Sequence, residues 1–205
     1  MKVLKFGGTS VGSIENIKKV KEIISGKDQK IVVLSAMSGT TNALVEISDL
    51  IKDQRIDVAL SKIQLLHKKY EVVLGELIQD SNLAAELTEY VEGVFEFLAG
   101  CTNEIHTEYL YNKIVAQGEL LSTFIFTKYL NQEGVNAQFL PALDFMRIDK
   151  ASDPDDFYII QNLERIIGGL APADIYITQG FICLDAYGNI ANLQRGGSDY
   201  TATII

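Results

Sequence analysis

Residues 31–34 (IVVL) constrain the fold of this chain more than any other stretch. An apolar run without alternation is typical of a parallel strand that is buried on both faces. A second strand is predicted over residues 3–6, and a helix from Ile14 to about Ser25 separates the two. With another helix expected after residue 41, this order predicts an α/β fold with a doubly wound, parallel sheet.

The rest of the chain is predicted to be mainly helical. Between residues 56 and 111 apolar residues recur at helical spacing without a proline, which indicates a helical lobe inserted between sheet elements. His67 and His106 lie in this lobe, where structural or exposed roles are expected. Helices are also expected over about 42–52, 113–132, 157–168 and 200–205, and strands over 135–140, 145–148, 174–181 and 190–194.

Composition excludes several classes of function. The chain has 18 basic and 27 acidic residues, a net charge of −9, and this acidity argues against nucleic acid as the main partner. The N-terminus lacks the apolar segment of a signal peptide, and no apolar stretch approaches the length of a membrane span. Cys101 and Cys183 lack the spacing of a zinc site or a disulfide framework. We therefore expect a cytoplasmic protein with no membrane partner.

A glycine-containing loop follows the first predicted strand. Gly7 and Gly8 allow backbone N–H groups to approach a phosphate, Thr9 and Ser10 add hydroxyl donors, and Lys5 adds a positive charge. The order of residues differs from both the Walker A loop and the dinucleotide-binding GxGxxG motif. A tight strand-to-helix turn explains the same residues equally well.

A second such loop lies near residue 200. Arg195 is suited to grip a carboxylate or phosphate with two parallel hydrogen bonds, and Gly196, Gly197 and Ser198 fit an anion-binding loop. Asp199 has two interpretations. It either stabilises the N-terminus of the helix that follows, or it pairs with an active-site lysine or a metal ion.

Two further features add polar groups. Glu119 lies in the most apolar stretch of its predicted helix, where an unpaired carboxylate is unfavourable, and Gly118 beside it suggests a close approach. A ligand ammonium explains both residues, but so does a pair with a basic side chain or an exposed helix edge. The loop 35–41, which includes Ser35 and Thr41, is rich in hydroxyls and is otherwise an ordinary loop before a helix.

Three of these four features occur at strand-to-helix loops, the usual edge for a ligand site in an open parallel sheet. Together they offer donors for phosphates, an arginine for a carboxylate and a glutamate for an amine. This combination predicts a small amino-acid substrate and a nucleotide.

Four segments carry a resemblance to a known family. They are KFGGTSV, VVLSAMSGTTN, QGE and ITQGF…LQRGGSDYTA, which cover the chain from Lys5 to Ala202 in the family's order. The chain resembles the aspartate kinases of the amino-acid kinase superfamily. The resemblance implies a three-layer α/β/α sandwich with a mostly parallel central sheet and the inserted helical lobe. Gln194 and Cys183 depart from the family, which usually has glycine at both positions.

The resemblance also implies a reaction and roles for residues. ATP would phosphorylate the β-carboxylate of L-aspartate to give 4-phospho-L-aspartate, the first step toward lysine, threonine and methionine. Mg²⁺ would neutralise the ATP phosphates, no protein metal ligand is assigned, and the intact enzyme is expected to be a homo-oligomer. The implied roles are catalysis for Lys5 and Asp199, phosphate binding for Gly7, Gly8, Thr9, Ser10, Gly196, Gly197 and Ser198, and substrate binding for Ser35, Thr41, Glu119 and Arg195.

The same resemblance sets an expectation for domains. Residues 1–205 would be the N-terminal segment of the catalytic domain, without the rest of the nucleotide site and the regulatory ACT domains. Such a segment is expected to bind aspartate weakly and to be inactive alone. Two alternatives remain: a related kinase with another acceptor acid, and an amino-acid-binding module without catalysis.

Overall fold

The computed structural model describes residues 1–26, 28–193 and 196–205. These residues form six strands and seven helices. In chain order they are β1 (Lys2–Phe6), α1 (Ile14–Ile24), β2 (Lys30–Leu34), α2 (Thr40–Lys52), α3 (Ile56–Leu77), α4 (Ser81–Gly100), α5 (Glu108–Gln132), β3 (Ala137–Phe139), α6 (Asp156–Gly169), β4 (Ile175–Gln179), β5 (Ile182–Leu184), β6 (Ile190–Asn192) and α7 (Gly197–Ile204). Short 3₁₀ turns occupy Cys101–Asn103 and Ala142–Asp144.

The central sheet is parallel, as the apolar run in β2 predicts. Its four strands lie in the order β1-β2-β4-β3, and β5 and β6 form a separate antiparallel hairpin. Leu34 at the end of β2 lies between Phe6 of β1 and Gln179 of β4. The loops that follow these three strands therefore meet at one edge of the sheet.

Apolar residues cover both faces of the sheet. Val32 and Leu34 point to a core built with α1 to α5, whereas Ile31 and Tyr176 point to a second core that includes α6 and the β5–β6 hairpin. Alternate residues of a strand face opposite sides, so β1, β2 and β4 contribute to both cores. The predicted α/β/α architecture is confirmed.

The helical lobe ends earlier than its sequence predicts. Helices α3 and α4 occupy most of it, but α5 already begins at Glu108, where the side chain of Thr107 accepts a hydrogen bond from the backbone of Leu110. The predicted division near residue 112 is therefore wrong. The N-terminal cap at Thr107 decides where the long helix starts, because it satisfies a backbone donor that has no helical partner.

Other boundaries also differ. Residues 145–148 form only isolated bridges, Arg147 to Leu184 and Ile148 to Pro154, instead of a strand. The predicted strand 174–181 stops at Gln179, and Phe181 has a φ of +70°, which no extended strand accommodates. Helix α2 begins two residues early, so Thr41 lies in its first turn.

The two histidines and two cysteines are in structural positions. His67 stacks on Phe95, and His106 shares a hydrogen bond with Ser48. Cys101 and Cys183 are buried free thiols. Among the described residues, no helix combines the length and apolar character that crossing a bilayer requires.

Candidate active site

A cavity of about 300 Å³ lies at the edge of the sheet where β1, β2 and β4 end. It is lined by Lys5, Ser35, Thr41, Glu119, Phe181, Gly196, Gly197, Ser198 and Asp199. Eight of these nine residues are predicted from the sequence, and Phe181 is the exception. A larger cavity of about 790 Å³ between the β5–β6 hairpin and the start of α5 contains none of the predicted residues.

Lys5 and Asp199 form an ion pair at this cavity. The Lys5 ammonium lies 2.9 Å from a carboxylate oxygen of Asp199, although the two residues belong to β1 and α7. The lysine side chain is 23% exposed and the aspartate side chain 71% exposed. Both interpretations of Asp199 fit the structure, because the carboxylate pairs with Lys5 and also lies in the first turn of α7. An ion pair this exposed adds little stability, so its main physical effect is to orient Lys5.

Glu119 presents a buried carboxylate to the same cavity. The residue is 3% exposed; its Oε1 accepts a 3.1 Å hydrogen bond from the backbone N–H of Ala36, and its Oε2 has no partner. Burial raises the pKa of this carboxyl to about 7, and the bond from Ala36 opposes the rise. No ion pair with a lysine or arginine is found for it among the described residues. An unpartnered, buried acceptor suits a ligand that donates hydrogen bonds and carries positive charge.

The close approach at Gly118 comes from the protein itself. A Cβ at this position would lie 2.8 Å from the Cβ of Ala36, and the side chains of Thr40 and Leu44 are also near. The expectation that a ligand explains this glycine is therefore wrong. Gly118 lets α5 pack directly against the loop after β2, and this contact brings Glu119 within reach of the Ala36 backbone.

Hydrogen bonds fix the same turn of α5 on its other sides. Thr123 Oγ1 donates to the carbonyl of Glu119 and accepts from the side chain of Gln179 at the end of β4, both at 2.7 Å. Ser122 Oγ donates to the carbonyl of Ser35 at 2.9 Å. These hydrogen bonds attach the turn of α5 that contains Glu119 to the ends of β2 and β4.

Helix α7 approaches the sheet through another glycine. A Cβ on Gly180 would lie 2.5 Å from the Cβ of Ser198, so this position admits no side chain. The approach allows Ser35 Oγ to donate to Ser198 Oγ at 3.0 Å. The loops after β2 and β4 and the N-terminus of α7 therefore close around one cavity.

Only part of the first glycine loop lies near the cavity. A Cβ on Gly8 would lie 2.7 Å from the carbonyl oxygen of Ala36, so this glycine serves the packing of two loops. A Cβ on Gly7 would be 3.5 Å from the Lys5 ammonium. Thr9 and Ser10 line a different depression, beside α1.

Arg195 and Gln194 lie outside the described residues. The residues missed by sequence reasoning are Phe181, Gln179, Ser122 and Thr123. A polar residue such as Gln179 inside an apolar strand is the one signal that points to this group. The other three hold or line the cavity through contacts that sequence spacing does not reveal.

The comparisons with known proteins bear on this geometry. The model of the amino acid kinase family matches residues 1–205. The chain belongs to the amino acid kinase family. The chain is 31% identical to lysine-sensitive aspartokinase 3 of Escherichia coli over 99% of its length and 45% of that relative. It is also 31% identical to the aspartokinase of Chlamydia trachomatis, over the same shares.

Solved structures of an aspartokinase are also similar to this chain. The chain superposes on E. coli aspartokinase III in complex with aspartate and ADP with a TM-score of 0.79 at 30% identity, covering 100% of the chain and 46% of that structure. The complex of the same enzyme with lysine and aspartate gives a TM-score of 0.82 at 29% identity. The chain spans about half the length of the relatives that it matches.

Proposed function

We propose that this chain is part of an aspartate kinase, which transfers the γ-phosphoryl group of ATP to the β-carboxylate of L-aspartate. Residues 1–205 would form the N-terminal segment of its catalytic domain. The observation that carries the proposal is the buried, unpartnered Oε2 of Glu119 in the same cavity as the Lys5–Asp199 pair. The first group suits an α-ammonium and the second a transferred phosphoryl group.

Substrate binding begins with the charge of Glu119. Its ionised carboxylate would accept hydrogen bonds from the α-ammonium of aspartate, which supplies both the positive charge and the donors that Oε2 lacks. Ser35 and Thr41 line the cavity, and their hydroxyls would bind the substrate's remaining oxygens, whereas Ser198 would contact the phosphates. By the family resemblance, Arg195 would hold the α-carboxylate.

Phosphoryl transfer needs positioning and charge stabilisation more than covalent chemistry by the protein. Lys5, held by Asp199, would stabilise negative charge on the transferring group, and Gly196 and Gly197 would bring backbone donors at the start of α7. Gly7 lies beside Lys5 and would complete the phosphate contacts. The placement of Thr9 and Ser10 beside α1 gives their proposed phosphate contacts less support.

The donor set fits a metal carried by the nucleotide. The described residues contain no group of three metal-ligating side chains, and Mg²⁺ commonly binds through substrate phosphates, water and one or two carboxylates. Asp199 is the exposed carboxylate at the cavity that is placed to contact it. When bound with ATP, Mg²⁺ would neutralise phosphate charge.

No general base is required for this reaction. The β-carboxylate of aspartate is already ionised at neutral pH and is itself the nucleophile. Among the described residues, no histidine lines the cavity, and this agrees with a reaction that needs no proton removal.

A substrate panel tests the proposal. The purified protein that carries this chain is assayed with ATP and L-aspartate, L-glutamate or N-acetyl-L-glutamate, and the acyl phosphate is trapped with hydroxylamine. We expect turnover with L-aspartate alone. Turnover confined to glutamate would contradict the proposed substrate. Turnover with N-acetyl-L-glutamate, which has no free α-ammonium, would contradict the role of Glu119.

A further inference from the structure

Lys69 on α3 binds the loop after β2 from outside the cavity. Its ammonium donates to the carbonyl of Ser38 at 2.7 Å and to Thr40 Oγ1 at 3.1 Å. The side chain is partly buried, and burial lowers the pKa of its ammonium. Among the described residues, no carboxylate lies within ion-pair distance of it. Lys69 is thus a partly desolvated cation that binds neutral oxygens.

Electrostatics alone does not favour this position. Thr40 is the first residue of α2, and the N-terminus of a helix carries partial positive charge, which repels a cation. Desolvation of the ammonium acts in the same direction. The arrangement instead fixes the conformation of the junction between the loop and α2, because one side chain binds both the Ser38 carbonyl and Thr40 Oγ1.

Tyr70 strengthens this attachment. It is fully buried next to Lys69, and its hydroxyl shares a 3.1 Å hydrogen bond with the same Thr40 Oγ1. The junction between the loop and α2 is therefore held by two consecutive residues of the helical lobe. Neither of them lines the cavity.

The segment that they hold makes three contacts with the active site. The N–H of Ala36 donates to Glu119, the N–H of Ser38 donates at 3.0 Å to the carbonyl of Gly8 in the first glycine loop, and Thr41 lines the cavity. A shift of this segment would alter the Glu119 carboxylate and the loop beside Lys5 together.

We propose that Lys69, assisted by Tyr70, is a positioning residue that holds loop 35–39 and the start of α2 in the conformation that binds the amino-acid substrate. The proposal rests on the function proposed above for the cavity. Through these two residues, the helical lobe would contribute to the affinity for the substrate.

The test compares Lys69→Met with Lys68→Met. Lys68 is the exposed neighbour on the same helix, so both variants remove one positive charge from α3. We expect Lys69→Met to weaken L-aspartate binding about tenfold, measured by titration calorimetry, with Lys68→Met unchanged. Lys69→Arg keeps a long side chain with several donors and should restore most of the affinity. Equal affinities for Lys69→Met and Lys68→Met would overturn the proposal.

Hydrogen exchange gives a readout that does not depend on the identity of the ligand. In Lys69→Met without ligand, the amides of Ala36 and Ser38 should exchange faster than in Lys68→Met, and unchanged exchange would overturn the proposal. Should Lys69→Met fail to fold, Tyr70→Phe, which removes one hydroxyl, should produce the same loss of protection and affinity to a smaller extent. If the wild-type protein binds no aspartate, the proposed function fails, whereas the exchange rates still decide whether Lys69 holds the loop.

Discussion

Glu119 and Lys5 face one cavity from environments that differ in burial, and this difference determines what each side chain can do. The buried carboxylate of Glu119 gains most from a ligand that brings its own positive charge, because its second oxygen has no hydrogen-bond partner among the described residues. Lys5 keeps contact with solvent and is oriented by Asp199, so it is available to a ligand that carries negative charge.

Replacement of Lys5 by Met should lower kcat by about a hundredfold or more and change the KM for aspartate only slightly. Removal of one preorganised charge that stabilises a transition state typically has an effect of this size. Steady-state kinetics with varied aspartate measures both constants. Lys2→Met is the control, because Lys2 lies on the same strand and pairs with Asp28 at the surface. An unchanged kcat would remove Lys5 from the proposed mechanism.

Affinity for L-aspartate should rise with pH through about 7. Burial raises the pKa of Glu119 to about 7, so below that pH the carboxyl is largely neutral and does not attract an ammonium. The two carboxylates and the ammonium of L-aspartate all stay charged between pH 5.5 and about 8. The affinity should therefore follow the ionisation of Glu119 and increase by up to about tenfold per pH unit on the acidic side. Calorimetry across this range measures the effect.

The matched variant for this pH dependence is Glu119→Gln, which has nearly the same shape and no charge to titrate. It should bind aspartate weakly at every pH and lose the dependence near 7. A wild-type affinity that stays constant from pH 5.5 to 8 would contradict the proposed contact between Glu119 and the ammonium.

Most residues that line the cavity could be predicted because they occur in short motifs at the ends of strands. The position of Glu119 was predicted by its polarity within an apolar helix. Phe181 and Lys69 were not predicted, for physical reasons. Phe181 enters the cavity by a left-handed backbone conformation, and Lys69 reaches the loop from a helix 31 residues away along the chain.

The site depends on how closely α5 approaches the loop after β2. The contact of Gly118 with Ala36 sets that distance, and the bonds of Thr123 and Ser122 hold it. Because Ala36 has no side-chain torsion that could relieve a clash, any added atom at position 118 must move backbone.

Gly118→Ala should therefore loosen the loop after β2 and reduce both stability and aspartate affinity. We expect a loss of about 1–3 kcal/mol in the free energy of unfolding, as overpacked positions show. Gly93→Ala in α4 is the matched control, because that helical glycine is exposed and has no neighbouring atom within 4 Å of an added Cβ. Gly93→Ala should instead stabilise the protein by about 0.5–1 kcal/mol. Denaturant unfolding compares the two, and equal changes would contradict the packing role of Gly118.

Helix ends were predictable where a side-chain cap marks them. Ser13 and Asp155 accept hydrogen bonds from Asn16 and Tyr158 at the starts of α1 and α6, close to the predicted positions. The segment 145–148 is mainly apolar and is predicted to be a strand, yet its neighbours in space offer only single bridges. Whether an apolar segment forms a strand depends on a partner along its length, which its own sequence does not specify.

The parallel sheet is buried between two apolar cores. The cavity lies at the edge of the sheet, between segments from the first and the last residues of the sequence. A ligand that bridges these segments binds only the folded state. Binding of this kind raises the free energy of unfolding by mass action.

L-Aspartate should therefore raise the melting temperature. At a concentration one hundred times its Kd, the added stability is about 2.7 kcal/mol, which corresponds to roughly 5–10 °C for a chain of this size. Differential scanning calorimetry measures the shift, and succinate, which lacks the α-ammonium, is the control ligand. An equal shift with succinate would show that the ammonium is not recognised.

The Lys5–Asp199 pair also has a consequence for how the protein is made. Its two members are far apart in the sequence, and the strands β2 to β6, the helical lobe and the other helices α1 to α6 lie between them along the chain. Contacts between distant residues form late because the intervening chain must first lose its freedom. During synthesis, a nascent chain would carry β1 and Lys5 well before Asp199, and it could not form this pair until residue 199 had left the ribosome.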